Sequence, residues 1–221
     1  MEQVGKTALV WLKQRGLTES TIKHARLGWN PRDRYYNPRQ WGFDGGKRIY
    51  IAKGLVIPWQ YKGQLTGIRV RRPDDALANI KGSRYISVRV YPQTNTHSRD
   101  HNFLYNADTI KPDYPTMMCE GELDALSVAQ EAGDIVTAIA TGSVSGGRSK
   151  FWQSRLAESS VVLVAFDADD AGETNAQFWT ETLPNAIRWQ PLAHDPNQML
   201  QDGLDIRAWV QQGLRRAVKP I

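Results

Sequence analysis

Residues 161–172 read Val-Val-Leu-Val-Ala-Phe-Asp-Ala-Asp-Asp-Ala-Gly. An unbroken apolar run ends in a burst of carboxylates, and small residues then open a helical pattern. A continuous apolar run, rather than an alternating one, predicts a strand buried on both faces, as in the centre of a parallel sheet. Outward from it, the same strand–helix rhythm fills the C-terminal half. Strands are expected at 116–119, 135–140 and 186–189. Helices are expected at 122–132, 149–157 and 171–182, with two short ones closing the chain near 196–200 and 205–217. Gly133 ends the first of these helices. This alternation predicts an α/β fold, a parallel sheet with helices on both faces. In such sheets functional residues gather at the carboxyl ends of the strands.

Three acidic clusters fall at those ends: Glu120-Gly121-Glu122-Leu123-Asp124, Asp167-Ala168-Asp169-Asp170, and His194-Asp195-Pro196-Asn197. Asp124 lies in the first helical turn, four residues after Glu120, and can face the same cleft. Asp167 and Asp169 are two apart, which puts both side chains on one side of an extended strand end. Such oxygen-rich sets suit Mg²⁺. Crowded anions repel one another, and a cation resolves the repulsion. Asp170 and Glu122 read instead as helix-capping acids. The loop Thr141-Gly142-Ser143-Val144-Ser145-Gly146-Gly147 offers backbone amides to a phosphate, but an ordinary strand-to-helix connection explains it equally well. No Gly-Lys-Ser/Thr follows it, so it is not a Walker loop.

The N-terminal half has a different character. Residues 1–110 hold 19 Lys and Arg against 8 Asp and Glu, and residues 111–221 hold 9 against 15. A basic half joined to an acidic half points to a polyanion partner beside a metal site. Helices are expected at 5–14 and 18–26, the second ended by Gly28 and Pro31. Residues 30–47 read as irregular and 92–102 as a polar loop. Ile49, Ile51, Leu55, Ile57 and Trp59, then Leu65, Ile68 and Val70, predict a β segment over 48–72 with its turn at Lys62-Gly63. A further strand is expected at 84–90. No apolar run is long enough to span a bilayer. The single cysteine, Cys119, cannot form an intrachain disulfide, and His24, His97, His101 and His194 have no zinc-ligand spacing. A reduced cytoplasmic setting, with no membrane association and no zinc, is the expectation.

Together these residues resemble the Toprim domain shared by bacterial-type (DnaG-like) primases, topoisomerases and some nucleases. Glu120-Gly121-x-x-Asp124 followed by Asp167-x-Asp169 matches the family pattern in order and spacing. The run Asp-Ala-Asp-Asp-Ala-Gly looks like the primase form, and Asp195-Pro196 resembles its later Asp-Pro-Asp element, with Asn197 where the family has a second Asp. Arg15-Gly16-Leu17-Thr18, Leu27-Gly28-Trp29-Asn30-Pro31, Leu55-Val56-Ile57-Pro58, Arg84-Tyr85-Ile86-Ser87 and Leu104-Tyr105-Asn106 resemble primase elements upstream of the Toprim part.

The resemblance implies a DNA primase core: a Toprim parallel-sheet domain at 111–195, preceded by a smaller basic α+β subdomain at 1–110 and followed by helices at 196–221. It implies synthesis of short primers from NTPs on a single-stranded DNA template, with Mg²⁺ or alternatively Mn²⁺. Glu120, Asp124, Asp167 and Asp169 are then the expected catalytic carboxylates. Glu120, Asp167, Asp169 and Asp195 are the expected metal ligands. Arg69, Arg71, Arg72, Lys81, Arg84 and Tyr85 are the expected contacts to template or nucleotide, with Trp29 and Trp41 as further stacking surfaces. A replicative helicase, or a helicase domain, is the expected partner. The family's zinc-ribbon is absent from these residues. Two other readings remain: a Toprim nuclease using the same metals, which the N-terminal match disfavours, and a non-catalytic single-strand-binding module, which the intact acidic set disfavours.

Overall fold

The computed structural model describes residues 3–42, 44–73, 83–88, 103–143 and 146–218. Lys81, the loop expected at 92–102 and the end of the strand expected to reach residue 90 lie outside them. The chain forms two compact units, one of Met1–Leu12 with Ile22–Arg99, the other of Lys13–Thr21 with Asp100–Ile221.

In the first unit, α1 (Gln3–Gln14, its last two residues in the second unit) and α2 (Glu19–His24, its first three residues in the second unit) precede short strands β1 (Gly28–Asn30) and β2 (Arg34–Tyr36). Then come β3 (Ile49–Ile51), β4 (Gly54–Tyr61), β5 (Gln64–Arg71) and β6 (Tyr85–Val88). An antiparallel sheet has the order β1-β4-β5-β6, and β2 and β3 pair separately. Tyr61 pairs with Gln64, so β4 and β5 are joined by a two-residue turn. Lys62 and Gly63 both take positive φ, 51° and 71°, as a type I′ hairpin requires. Ile51, Ala52, Val70 and Val88 form a core against which Tyr36, Trp41, Ile49 and Ile68 pack.

The expected irregular stretch 30–47 is partly ordered. β2 lies in it, and so does a 3₁₀ turn at Pro38–Trp41 whose first amides are capped by Asn37. Gly28 does not end α2 but opens β1. The helix stops earlier, at Arg26 (φ 51°), where Leu27 N–H donates back to Ile22 C=O at 3.1 Å. Three-residue strands are too short to show a period. β1 is held by pairing with the start of the longer β4, and β2 by pairing with β3 along its whole length, partners that local sequence does not display.

The second unit carries β7 (Thr116–Cys119), α3 (Glu122–Ala132), β8 (Thr137–Ala140), α4 (Lys150–Ala157), β9 (Val162–Ala165), α5 (Asp170–Thr182), β10 (Ala186–Arg188), α6 (Pro196–Gln201) and α7 (Ile206–Val218). The strands are all parallel, in the order β10-β9-β7-β8. Every residue of β7, β8 and β9 is buried, as the apolar run at 161–166 demands. The chain first steps from β7 outward to β8, then crosses back past β7 to β9. Right-handed crossovers therefore put α3 on one face and α4 and α5 on the other. Helices α6 and α7 pack on α3. The outer edge of β8 is shielded by Tyr105, whose N–H donates to Ala140 C=O at 2.8 Å. The order reverses between β7 and β9, and ligands of open α/β sheets bind at such a switch point.

Candidate metal centre

The register pairs Cys119 with Ala165, the last residues of β7 and β9. Glu120 and Asp167 thus leave the sheet side by side, where the strand order reverses. Asp169 begins α5: its Oδ1 accepts the Gly172 N–H at 2.7 Å, a capping bond that turns the chain sharply. A Cβ on Gly172 would lie 2.1 Å from the Asp167 carbonyl oxygen, so only glycine lets the helix start this close to the acids. The Ala168 N–H donates to the His194 carbonyl at 2.7 Å, which ties the loop after β10 to the Asp-Ala-Asp turn.

Arg188, on β10, clamps this turn from the side. Its Nη1 donates to the carbonyls of Val164 and Phe166, both at 3.0 Å, and its Nη2 to that of Asp167 at 3.1 Å. Nε is held by Glu173 at 2.9 Å. The backbone beneath Asp167 is therefore fixed by one rigid guanidinium.

One donor atom each from Asp167, Asp169 and His194 lies within 4.8 Å of the others. Asp167 Oδ1 is buried and has no hydrogen-bond partner among the described residues. Burial, then the charges of Glu120 and Asp195, push the Asp167 carboxyl up to about 7, with His194 partly opposing. Desolvation is the largest influence on His194 and favours its neutral form. A backbone hydrogen bond and the Asp167, Asp195 and Asp169 carboxylates together outweigh it, and its pKa rises. The Cys119 thiol beneath is pushed well up by burial and then by Asp124, Asp167 and Asp195. Repulsive carboxylates around an orphaned buried oxygen fit a divalent cation.

The other expected residues take distinct places. Asp124 is buried, and its carboxylate joins two helix starts: Oδ2 accepts the Gly121 N–H and Oδ1 the Asn197 N–H, each at 3.1 Å. Burial, then Asp195 and Asp167, raise its pKa well above the carboxylate range. Asp195 caps α6, with Oδ1 accepting the Gln198 N–H at 2.6 Å. The capping acids are thus Asp169 and Asp195, with Asp124 accepting the amide ahead of α3. Asp170 and Glu122, expected in that role, are an exposed first-turn residue and a wholly buried one. Asn197 is buried, and its side chain bonds to Arg15 and to Ser127 of α3. Its Nδ2 donates to Arg15 C=O at 3.0 Å and Ser127 Oγ at 2.9 Å, and its Oδ1 accepts from Arg15 Nη1 at 2.7 Å.

In the first unit, the Arg69 guanidinium lies 4.5 Å over the Tyr85 ring and 5.9 Å from Trp59. Arg84 is exposed. Arg72 reaches the Tyr50 hydroxyl at 3.4 Å. Arg71 is only 5% exposed and packs 4.5 Å over the Trp11 ring. Trp29 is half-buried, and Trp41 packs on the core. In the glycine-rich loop, a Cβ on Gly146 or Gly147 would collide with the Thr141 carbonyl or with Leu104, so packing already accounts for these glycines. His194 was not among the expected ligands, and Arg188 was not among the expected site residues at all. His194 carried a visible signal, a position next to Asp195 at a strand end. Arg188 carried none.

Residues 117–200 match the Toprim-like family. No curated protein matches the chain in sequence. Among solved structures, it is similar to a DNA primase domain from Pseudomonas aeruginosa at 23% identity and a TM-score of 0.65, covering 93% of this chain and 71% of that one. It is similar to a DnaG primase catalytic domain bound to single-stranded DNA at 19% identity and a TM-score of 0.60, covering 99% and 78%. The primase fragment of the bacteriophage T7 primase-helicase is similar at 14% identity and a TM-score of 0.59, covering 91% and 72%. At these identities the likeness shows the fold.

Proposed function

We propose that this chain, a Toprim-like domain set within the fold of DnaG-type primase catalytic cores, is a metal-dependent nucleotidyltransferase that makes short primers from NTPs on single-stranded DNA. The observation that carries this reading is the convergence of Asp167, Asp169 and His194 at the switch point, around a buried Asp167 oxygen that lacks a hydrogen-bond partner among the described residues, with Glu120 following the neighbouring strand end.

In the reaction, a 3′-hydroxyl attacks the α-phosphorus of an incoming nucleotide and pyrophosphate leaves. A divalent cation, Mg²⁺ or Mn²⁺, supplies positive charge to the transferring phosphoryl group. Glu120, Asp167 and Asp169 would hold it, with Asp195 as a further carboxylate. Asp124 binds no substrate in this scheme. It positions Glu120 and Asp195 through the amides of Gly121 and Asn197. Arg69, Arg72 and Arg84 offer forked donors to template or nucleotide phosphates, and Lys81 adds charge. Arg71, buried against Trp11, serves chiefly to pack. Tyr85, already under a guanidinium, presents a face for an unpaired base. The likeness to a primase-helicase fragment supports a replicative helicase as partner.

Incubation with single-stranded DNA, Mg²⁺ or Mn²⁺ and labelled NTPs tests the reading. New short oligonucleotides that vanish with Asp167→Ala are expected. A shortened template instead would make the chain a nuclease. Binding without any reaction would make it a single-strand-binding module.

A further inference from the structure

We propose that His194 is a nitrogen ligand that completes the Asp167–Asp169 pair and biases this site toward Mn²⁺-class cations over Mg²⁺. The inference rests on the proposed metal-dependent reading and names the metal preference of the same site.

His194 offers a ring nitrogen within 4.8 Å of a carboxylate oxygen of both Asp167 and Asp169. One ion with bonds of about 2.0–2.2 Å holds its ligand atoms roughly 3–4 Å apart, so binding needs only a small inward turn of these side chains. The backbone is prepared for it. The hydrogen bond from Ala168 N–H to His194 C=O sits at the middle of the Asp-Ala-Asp turn, so histidine and acids move as one piece. Arg188 anchors the carbonyls on the other side of the turn. Asp169 spends Oδ1 on its cap, leaving Oδ2 for an ion. Asp167 Oδ1 is buried without a hydrogen-bond partner among the described residues.

The donor set is therefore mixed. Mg²⁺ is a small, hard ion that keeps its waters and takes oxygen donors. Imidazole gives it little, while Mn²⁺ and the later divalent ions accept nitrogen readily. An all-carboxylate site would favour neither so strongly. His194 is exposed, so its replacement removes a donor without opening the core.

The test uses the metal-free full chain. Free Mn²⁺ is followed by its electron paramagnetic resonance signal during titration, and Mg²⁺ competes for the bound ion. Wild type is expected to bind Mn²⁺ well ahead of Mg²⁺. His194→Ala and His194→Gln are expected to lose about tenfold or more in Mn²⁺ affinity, while Mg²⁺ affinity changes little and metal-free melting temperature stays put. Mn²⁺ should also broaden the His194 imidazole resonances before those of His24. An unchanged Mn²⁺ affinity and Mn²⁺/Mg²⁺ ratio in both variants, with Asp167→Asn still abolishing binding, overturns the histidine's role and leaves the proposed function standing. If Asp167→Asn also leaves Mn²⁺ binding intact, the metal lies elsewhere and both readings fall.

Discussion

Asp167 sits where burial and neighbouring carboxylates oppose its ionisation, and this makes the metal-free fold sensitive to pH. Well below the ordinary carboxylate pKa, the group is protonated whether the chain is folded or not. Between there and about 7 the folded chain keeps a proton that the unfolded chain has lost, so stability falls as pH rises through that window. The metal-free melting temperature is expected to drop from about pH 5 to about pH 8, and Asp167→Asn to flatten that drop. Added Mn²⁺, which needs the carboxylate ionised, should raise the melting temperature more at the higher pH; equal stabilisation at both would remove Asp167 from the ligand set.

Asn197 gives a second prediction at this scale. It stands where the resembling family has Asp, yet its Nδ2 donates two hydrogen bonds, one buried and one part-buried, that an Asp cannot make. Asn197→Asp is expected to destabilise by about 1–3 kcal/mol and to leave Mn²⁺ affinity no higher. Denaturant unfolding and metal titration of the variant check both halves.

At the scale of elements, β9 brings the acids to the surface and β10 holds them there. Leu163, wholly buried at the centre of β9, is expected to cost about 3 kcal/mol when replaced by alanine. Arg188→Lys is the sharper test. A lysine ammonium cannot span the carbonyls of Val164, Phe166 and Asp167 from one rigid plane, as the guanidinium does. The expected result is a measurable fall in Mn²⁺ affinity beside a smaller fall in stability. A variant whose metal affinity matches wild type would reduce Arg188 to a strand-packing residue.

At the scale of the whole molecule, charge is divided between the two halves of the sequence, and so is the expected work. Single-strand binding should follow the basic half and its salt dependence, and catalysis the acidic one. Arg84→Ala is expected to lower the log–log salt slope of single-strand affinity by about 0.7, the counterion release that goes with one phosphate. Asp167→Ala should leave that slope unchanged while abolishing synthesis. Arg71→Ala should act differently from Arg84→Ala, lowering melting temperature first, because its guanidinium is packed against Trp11. Filter binding over a salt series, alongside thermal melts, separates the two arginines; a common phenotype would mean that burial does not distinguish them.

Much of this was legible in the chain itself. The run 161–166 announced a central strand because only a two-sided burial tolerates six apolar residues in a row. Asp167 and Asp169 followed from it, since a parallel strand delivers what comes next to one end of the sheet. The helices over 122–132 and 171–182 and the Lys62-Gly63 turn were equally plain, being set by local period and by residues that accept positive φ. What only the tertiary structure decided were the relations between distant segments. Three-residue strands β1 and β2 exist because partners elsewhere complete their hydrogen bonds. Capping of α5 passed from Asp170 to Asp169, and the N-cap of α3 from Glu122 to Gly121, because a one-residue shift in a helix start depends on the turn that feeds it. Asn197 proved to be a buried bridge to Arg15 and Ser127, and Arg188 a clamp on a neighbouring strand. His194 stood in plain view beside Asp195, but whether its ring meets Asp167 or solvent depends on how the loop after β10 crosses the end of β9. Local sequence sets backbone preference and period; the convergence of side chains from separate strands is set by packing, which no single window of residues contains.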